Sequence, residues 1–319
     1  MLQVIVDYLL YILIGLDPTT RLAQSLNFFI YDSIKIMFLL FFMIAIVGVL
    51  RTYLPQRKVK KWLSKTKYGS GNFMASLFGA VTPFCSCSSI PLFLSFLEAG
   101  VPLGVTFSFL ITSPLVNEYL VVLMLGFFGW KITLAYVIAG ILIGMISGLV
   151  LGKMNLEKYL VKDIISSKSK LKEEKYNVFK KRFMFGIHEA VLIVKKLWLW
   201  ILIGVGVGAI IHNYVPAELI QGIISKGGIF TVPIAVILGI PMYGSCAAIV
   251  PIAVVLFQKG IPLGTALAFM MATSALSFPE AIILRRAMKL KLIAIFFGVV
   301  AISIIVIGYL FNLLQGILV

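Results

Sequence analysis

An apolar stretch that prolines interrupt places the strongest limit on how this chain can fold. It covers residues 79–104 and reads GAVTPFCSCSSIPLFLSFLEAGVPLG. Because Pro83 and Pro91 interrupt it, we expect a broken structure here and not one continuous helix. Irregular backbone at the depth of a bilayer is tolerated only where protein buries it or where it lines a cavity. The stretch is therefore the first candidate for a functional site.

The composition indicates an integral membrane protein. Of the 319 residues, 61% are hydrophobic and only 13% are charged, and the mean hydropathy is +1.08. This balance is not that of a soluble domain. The formal charge of +16 clusters in a few loops, which indicates membrane orientation and not a nucleic-acid partner. We expect a multi-pass protein of the cell (cytoplasmic) membrane, with the lipid bilayer as its surroundings.

The first residues do not resemble a signal peptide. Residues 1–16 have no basic start, carry Asp7 inside the apolar run and lack a small-residue cleavage site. The run is also short for a membrane span. We predict that residues 1–26 form a short tilted span or an interfacial helix.

The chain contains two related halves. The sequence GVPLG at residues 100–104 recurs as GIPLG at residues 260–264, an offset of 160 residues. Pro91 and Pro251 match at this offset, as do Phe109 and Phe269. We take the repeat as real and divide the chain into residues 27–152 (membrane repeat 1), 153–182 (basic cytoplasmic linker) and 183–319 (membrane repeat 2).

Hydropathy predicts six clean spans and two broken stretches. A row of four glycines in the third span, at residues 140, 144, 148 and 152, predicts close approach of another helix. The spans are residues 27–50, 105–128, 132–151, 196–211, 263–284 and 292–314, and the broken stretches are residues 72–97 and 229–257.

The distribution of basic residues orients the halves. The loop at residues 51–67 and the linker are strongly basic and should be cytoplasmic, whereas the loop at residues 212–226 has lost nearly all of its positive charge and should lie outside. Each broken stretch must then enter and leave on one side. We predict an all-α protein of two inverted repeats, each with three transmembrane helices and one re-entrant hairpin, plus the N-terminal helix. The alternative is that both broken stretches cross fully, which would give parallel repeats.

The two broken stretches carry the residues that could bind a solute. Residues 82–89 supply thiols and hydroxyls, and residues 241–246 occupy the same place in the second half. Thiolate and thioether ligands favour soft, thiophilic centres, although cysteine can also act as a small apolar filler. We assign Pro83, Pro91, Pro241 and Pro251 to the hairpin structure. The predicted solute ligands are Cys85, Ser86, Cys87, Ser88, Asn117, Met242, Ser245 and Cys246.

Two carboxyl groups lie in the spans that follow the broken stretches. Glu118 and Glu280 stand well inside their predicted spans, in what the sequence indicates are corresponding places. Ionisable residues inside a membrane are costly and usually functional. A carboxyl group among apolar neighbours favours its protonated form, so both are candidates for proton coupling. The alternative is a neutral Glu that is hydrogen bonded to backbone.

The sequence offers no motif for enzymatic or nucleotide-driven chemistry. There is no nucleophile elbow, HExxH, P-loop or Rossmann fingerprint. Two histidines and three cysteines in apolar segments make neither a zinc-finger spacing nor a disulfide framework. We therefore expect no cofactor and no resident metal, and we do not expect an enzyme.

The sequence resembles a family of predicted bacterial and archaeal permeases. The motifs are TPFCSCSSIPLF at residues 82–93, TSPLVNE at residues 112–118, GIPMYGSC at residues 239–246 and TSALSFPE at residues 273–280. This family (YraQ-like) includes the ArsP-type organoarsenical efflux permeases. Because their trivalent arsenic substrates are thiophilic, the resemblance implies a soft-centre role for Cys85, Cys87 and Cys246.

The expected function is secondary-active export of a small soft-centred solute, such as the trivalent organoarsenical methylarsenite. One alternative is a permease for another metal, metalloid or sulfur-containing solute, with structural cysteines. Another is an intramembrane thiol-redox enzyme that uses Cys85 and Cys87. The sequence leaves open whether the chain forms a homo-oligomer.

Overall fold

The computed structural model describes residues 2–51, 69–82, 86–98, 100–161, 179–214, 228–242, 246–285 and 287–318, together with residues 222 and 224. The described part of the chain is almost entirely helical and contains no strand, only one isolated bridge between Leu160 and Met288. The prediction of an all-α fold is therefore confirmed for these residues.

The helices of the first half begin with a short N-terminal helix and end with a long apolar one. They are α1 (Leu2–Asp7), α2 (Arg21–Arg51), α3 (Ser70–Val81), α4 (Ser86–Glu98), α5 (Leu103–Leu115) and α6 (Glu118–Lys153). A π-helical segment, Tyr8–Leu13, continues α1, and a 3-10 turn, Leu156–Tyr159, follows α6.

The second half repeats this order. Its helices are α7 (Phe179–Tyr214), α8 (Thr231–Gly239), α9 (Cys246–Gln258), α10 (Leu263–Ala275), α11 (Phe278–Leu284) and α12 (Leu290–Leu318). The 160-residue offset found in the sequence carries both ends of α4 onto α9 and both ends of α5 onto α10. It also carries Gly100 onto Gly260, and both adopt a positive φ, of 79° and 88°, that glycine accommodates without strain.

The breaks do not all fall where the prolines predicted them. Pro91 and Pro251 lie inside the 13-residue helices α4 and α9, so the prediction that they interrupt the stretches was wrong. Each is the sixth residue of its helix, and a membrane helix tolerates such a proline where neighbouring groups satisfy the freed backbone carbonyl. Residues 82–85 and 240–245 separate the two limbs of each hairpin.

Two predicted spans are themselves interrupted. The predicted span 105–128 breaks at residues 116–117, between α5 and α6, and the span 263–284 breaks at residues 276–277, between α10 and α11. Helix α6 has a further sharp bend at Gly129, whose φ of 79° and ψ of 175° are not helical.

The surface of the described residues suits a bilayer. Three helical segments are long and apolar enough to cross a membrane, namely Glu118–Lys153, Leu263–Leu284 and Leu290–Leu318. Large apolar side chains such as Leu313 (82% exposed) and Val81 (74% exposed) lie on the outside. In water such a surface would drive aggregation, whereas lipid solvates it.

The N-terminal helix is held against α2 by polar side chains. Asn27 Nδ2 donates a hydrogen bond to Asp7 Oδ1 at 2.6 Å, and Gln3 Nε2 donates to Asn27 Oδ1 at 2.8 Å. The segments Leu2–Asp7 and Tyr8–Leu13 have six residues each. Together they extend only about 18 Å, against about 30 Å for the hydrocarbon core of a bilayer.

Helices α3 and α5 run side by side in the same direction. Asn72, near the start of α3, donates from Nδ2 to Gly104 O near the start of α5, at 3.0 Å. Gly79, near the end of α3, lies against Phe109 and Ser113, further along α5. Since α4 joins α3 to α5 and must return the chain to the starting end, α3 and α4 form a helical hairpin.

The second half forms the same hairpin from different side chains. Thr231 and Thr265, at the starts of α8 and α10, are joined by a 3.3 Å hydrogen bond between their hydroxyls. Gly239, at the end of α8, lies against Phe269 O in α10, as Gly79 lies against Phe109 O in α5. Helices α8 and α9 are thus the counterparts of α3 and α4.

Glycines bring α6 into backbone contact with α5. A Cβ added to Gly104 would lie 2.7 Å from Gly148 O and 2.8 Å from Gly152 Cα. Gly144 lies against Thr112 and Gly140 against Val116, so the two helices run antiparallel. This is the close approach that the glycine spacing predicted. In the second half Gly264 of α10 makes the equivalent contact with Gly308 of α12.

The two halves pack together along several helices. Helices α2 and α7 run antiparallel, with Gly186 against Ala45 and Gly206 against Phe29. In the centre, Phe107 of α5 stacks on Phe296 of α12 with ring centroids 5.4 Å apart. The Ser147 and Ser303 hydroxyls of α6 and α12 are 3.0 Å apart. The halves therefore share one hydrophobic core.

The chain after α6 docks on the junction between α11 and α12. Lys289 N donates to Tyr159 O at 2.9 Å, and Val161 N donates to Ala287 O at 3.1 Å. The ammonium groups of Lys158 and Lys291 lie 5.2 and 5.3 Å from the centre of the Tyr159 ring. A side-chain hydrogen bond with Lys291 lowers the pKa of Tyr159 below its usual value. The basic ends of the two halves thus lie side by side.

We expect Gly264→Ala to destabilise the protein by about 1–3 kcal/mol, because overpacking a close backbone contact forces the helices apart. The added methyl would meet Gly308 O and lie 2.7 Å from Asn312 N. Gly298→Ala in α12 is the control, since a Cβ there meets nothing within 4 Å. The measurement is the thermal unfolding midpoint in detergent. Equal midpoints for the two variants would contradict the close contact.

Candidate functional site

In each half, the end of the first hairpin limb lies beside the helices that flank a break. In the second half, Phe278 N at the start of α11 donates to Ile240 O just after α8, at 3.0 Å. In the first half, a Cβ on Gly79 near the end of α3 would lie 3.2 Å from Ser113 N near the end of α5.

The halves also contact each other near these points. Helix α11, which follows the second break, packs on α4, the limb that follows the first tip. Helix α9, which follows the second tip, packs on α6, the helix that follows the first break. The elements that begin at each tip and break thus pair across the two halves.

Most of the predicted solute ligands in the two hairpins lie at the edge of the described residues. Cys85 and Ser245 are outside the described residues. Ser86 and Cys246 each begin the second limb of a hairpin, α4 and α9. Cys87 and Ser88 follow in the first turn of α4, and the side chains of these four residues are outside the described part. The backbone therefore places Ser86 and Cys246 at matching helix starts, where the helix dipole favours negative charge.

Met242 lies just before the second tip. Its N–H donates to Gly239 O at 3.1 Å, which closes the turn after α8. The side chain is partly buried and packs against the main hydrophobic core. Pro241 beside it is exposed, and Pro83 lies outside the described residues.

Asn117 has a structural role at the first break. It is the N-cap of α6, and its side chain accepts a hydrogen bond from Leu120 N at 2.8 Å. An N-cap satisfies a backbone donor that the helix start leaves without a partner. The cap explains how the chain can restart a helix directly after the break at Val116.

The two predicted proton carriers have different surroundings. Glu118 is the first residue of α6 and its side chain is exposed, so the prediction that it lies buried among apolar neighbours was wrong. Glu280 lies in the first turn of α11 and is only 3% exposed. The 160-residue offset pairs Glu118 with Phe278 and Glu280 with Leu120, so the two carboxyl groups do not occupy equivalent places.

Buried hydroxyls surround the second break. Thr273, Ser274 and Ser277 are 4%, 9% and 6% exposed. Thr273 donates to Phe269 O at 2.9 Å, whereas Ser274 Oγ has no hydrogen-bond partner among the described residues. Sequence reasoning alone does not identify Thr273 or Ser277 as a separate site residue. The signal was present, because the Thr-Ser pair at residues 112–113 recurs at residues 273–274.

Paired helical hairpins beside broken helices, in a chain with an apolar surface, define an integral membrane protein built around interrupted helices. The chain also matches the ArsP_1 family, described as a predicted permease, over residues 21–313. It therefore belongs to this predicted permease family. No solved structure matches the chain significantly.

Curated relatives are similar over different lengths. UPF0718 protein MJ0584 of Methanocaldococcus jannaschii is 22% identical over 293 residues, which cover 74% of this chain and 80% of that protein. UPF0718 protein YcgR of Bacillus subtilis is 30% identical over 94 residues, or 28% of this chain and 30% of that protein.

A third relative, from Streptococcus mutans, carries the provisional name of a two-component membrane permease complex subunit. It is 28% identical over 118 residues, which cover 36% of this chain and 38% of that protein. This match thus spans well under half of the S. mutans protein.

We expect Asn117→Ala to lower stability by about 1 kcal/mol, because α6 loses its N-cap, and Asn117→Asp to restore most of that loss, because Asp also caps helices. The measurement is the thermal unfolding midpoint of the purified protein. If Asn117→Ala unfolds like wild type, the side chain has another role and the capping hydrogen bond contributes little.

Proposed function

We propose that this protein is a secondary-active permease that exports a small thiophilic solute, such as the trivalent organoarsenical methylarsenite, by alternating access. The observation that carries the proposal is that, in each half, the end of the first hairpin limb lies beside the helices that flank a break. Discontinuous helices of this kind form the substrate and ion sites of many transporters. Membership of a predicted permease family supports the same class.

The hairpins are proposed to be re-entrant. Helix α3 has 12 residues and α4 has 13, so each limb extends only about 18–20 Å, against about 30 Å for the hydrocarbon core. Helices α3 and α5 start next to each other, at Asn72 and Gly104. This geometry supports a hairpin that returns to the side from which it entered.

The repeats are proposed to be inverted. The docking of Tyr159 on Lys289 puts the end of α6 beside the α11–α12 junction. At the other end of the two units, the ring of Phe128, next to the bend in α6, has its centroid 6.1 Å from that of Phe257 at the end of α9. The base of each hairpin unit therefore lies beside the far end of the other unit. Parallel repeats would instead put the two bases on the same side.

The proposed solute site lies between the hairpin tips. Its sulfur ligands would be Cys85, Cys87 and Cys246, with Met242 beside them, and thiolate or thioether sulfur binds soft centres such as trivalent arsenic. Ser86, Ser88 and Ser245 would supply hydroxyls. Because Cys87 and Cys246 lie in the first turns of α4 and α9, the positive ends of those helices favour their thiolate forms.

Glu280 is the proposed proton carrier. It is buried beside the second break, near Ser274 and Ser277. A carboxyl group that gives up its proton only when the site opens to water would couple the proton gradient to export. The exposure of Glu118 makes it the weaker candidate.

The protein is proposed to act in the cytoplasmic membrane as a multi-pass transporter. Following the provisional name of the S. mutans relative, a second subunit is a candidate partner, and a homo-oligomer is the other. Size-exclusion chromatography with light scattering of the purified chain, alone and after co-purification, separates these states.

The test of the sulfur site is uptake of methylarsenite into everted membrane vesicles. With a proton gradient, wild type is expected to accumulate the solute. The variant with all three cysteines replaced by Ser is expected to take it up at least about tenfold more slowly, because its hydroxyls bind soft centres weakly.

The control for this experiment is the amount of folded variant in the vesicles. Undiminished uptake by the cysteine-free variant would leave a permease with structural cysteines. No uptake by well-folded wild type would remove methylarsenite as the substrate. Alkylation of Cys85 and Cys87 that occurs only after treatment with reductant would favour the thiol-redox alternative.

We expect Glu280→Gln to abolish the pH dependence of uptake, because the amide matches the shape of the carboxyl group but cannot exchange a proton at physiological pH. Glu118→Gln is the matched control, since it makes the same change at an exposed carboxyl group, and should keep the wild-type profile. The measurement is initial uptake rate between pH 5.5 and 8.5. Loss of the pH dependence in the Glu118 variant alone would transfer the role to Glu118.

A further inference from the structure

A cavity lies at the base of the first half, at the end of α3 and α5 that is remote from the helix breaks. It has a volume of about 220 Å³, below the range typical of sites for drug-sized ligands. It lies where the start of α3, the start of α5 and the end of α6 meet. The residues that carry the argument are Asn72, Leu103, Gly104, Lys153, Asn155 and Glu157.

The second half fills the equivalent place with its own side chains. Gln315 Oε1 accepts a hydrogen bond from Leu263 N, the first N–H of α10, at 2.9 Å. Asn312 Nδ2 donates to Thr265 Oγ1 at 3.4 Å. At the 160-residue offset, Gln315 corresponds to Asn155 and Asn312 to Gly152. Gln315 and Asn312 both lie inside α12, whereas α6 ends at Lys153 and Asn155 beyond it has a left-handed backbone with a φ of 49°. The first half therefore has no helical residue in the place of Gln315 and no side chain in the place of Asn312.

At this position the first half has two backbone N–H donors that lack an acceptor among the described residues. No acceptor reaches the N–H groups of Leu103 and Gly104, at the start of α5, from the residues that the structure describes. Both residues line the cavity, and so does Lys153. The bound Gln315 oxygen of the second half shows where a ligand oxygen would sit. Helix N-termini and ammonium groups together favour a carboxylate there.

The cavity also presents acceptors. Asn72 is only 7% exposed, and its Nδ2 donates to Gly104 O at 3.0 Å and to Ser108 Oγ at 2.9 Å. Within the described ranges nothing donates to its Oδ1. Glu157 adds a carboxylate at the rim. A ligand that carried only negative charge would leave both of these acceptors unmatched.

The charges of the rim occur only in the half that has the cavity. Lys153 and Glu157 correspond at the offset to Leu313 and Ile317, which are 82% and 73% exposed. The half that caps its own helix thus has apolar residues where the other half has one cation and one anion. The missing cap on α5 and the two rim charges occur together at one place, which favours ligand binding as their common cause.

We propose that this cavity binds a small amino-carboxylate zwitterion. Its carboxylate accepts hydrogen bonds from Leu103 and Gly104 N–H beside Lys153, and its ammonium group donates to Asn72 Oδ1 and Glu157. The volume admits a molecule of about the size of a small amino acid. The site lies apart from the tips, on the basic side of the protein, and is separate from the proposed transport site.

The test is equilibrium binding of radiolabelled L-alanine to the purified full-length protein, measured by scintillation proximity. Acetate and ethylamine, which each carry one of the two charged groups, are the competitors. We expect L-alanine to bind, and each competitor to be at least about tenfold weaker, because each leaves one set of cavity groups unmatched. Absence of L-alanine binding to folded protein would overturn the proposal, as would acetate competing as well as L-alanine.

The decisive variants are Lys153→Gln and Glu157→Gln, because both residues line the cavity and both are exposed. Each should weaken binding at least about fivefold, while size-exclusion profile and helical content stay as in wild type. Lys131→Gln, an exposed position of α6 that does not line the cavity, is the matched charge control.

The cysteine-free variant distinguishes this proposal from the proposed function. It leaves the cavity unchanged, so it should bind L-alanine as wild type does even where methylarsenite uptake is lost. Wild-type affinity in both the Lys153→Gln and the Glu157→Gln variant would show that binding occurs elsewhere and would refute the site.

Discussion

Backbone contact between helices at glycines is the constraint on which the rest of this structure depends. Gly104 of α5 meets Gly148 and Gly152 of α6, and Gly264 of α10 meets Gly308 of α12. In lipid, helices gain little from burying apolar side chains against one another, so association relies on close van der Waals contact, which small residues permit. These contacts fix the base of each hairpin unit against the long helix that follows it, α6 in the first half and α12 in the second.

Each break in a helix exposes backbone N–H groups that need hydrogen-bond partners, and the two halves supply those partners differently. A helix start leaves backbone N–H groups without acceptors, and in an apolar surrounding each needs a partner. At the first break the side chain of Asn117 provides one. At the second, Phe278 N bonds to Ile240 O of the neighbouring hairpin. The two breaks therefore differ chemically, with an exposed carboxyl group at the first and a buried one at the second.

A repeated architecture does not require repeated chemistry. The hairpins, glycine contacts and breaks recur at the same offset because they define the backbone. The polar residues beside them have diverged, as Asn72 is matched by Val232 and Gly152 by Asn312. Each substitution is tolerated because the neighbouring helix supplies or removes a hydrogen-bond partner. This divergence is consistent with two halves of similar shape that carry different parts of a transport cycle.

The sequence by itself determined the helical membrane class, the two halves and the close approach at the glycine row, because hydropathy and small-residue spacing act locally along a helix. It misplaced the interruptions at Pro91 and Pro251, which lie inside α4 and α9, since a membrane helix tolerates a proline where neighbouring groups satisfy the freed backbone carbonyl. It also treated Glu118 and Glu280 as equivalents. Only the tertiary structure decided which carboxyl group is buried, which helix start is capped and where a cavity remains. Those properties depend on which side chains a distant segment brings into contact, and hydropathy along the chain does not record that.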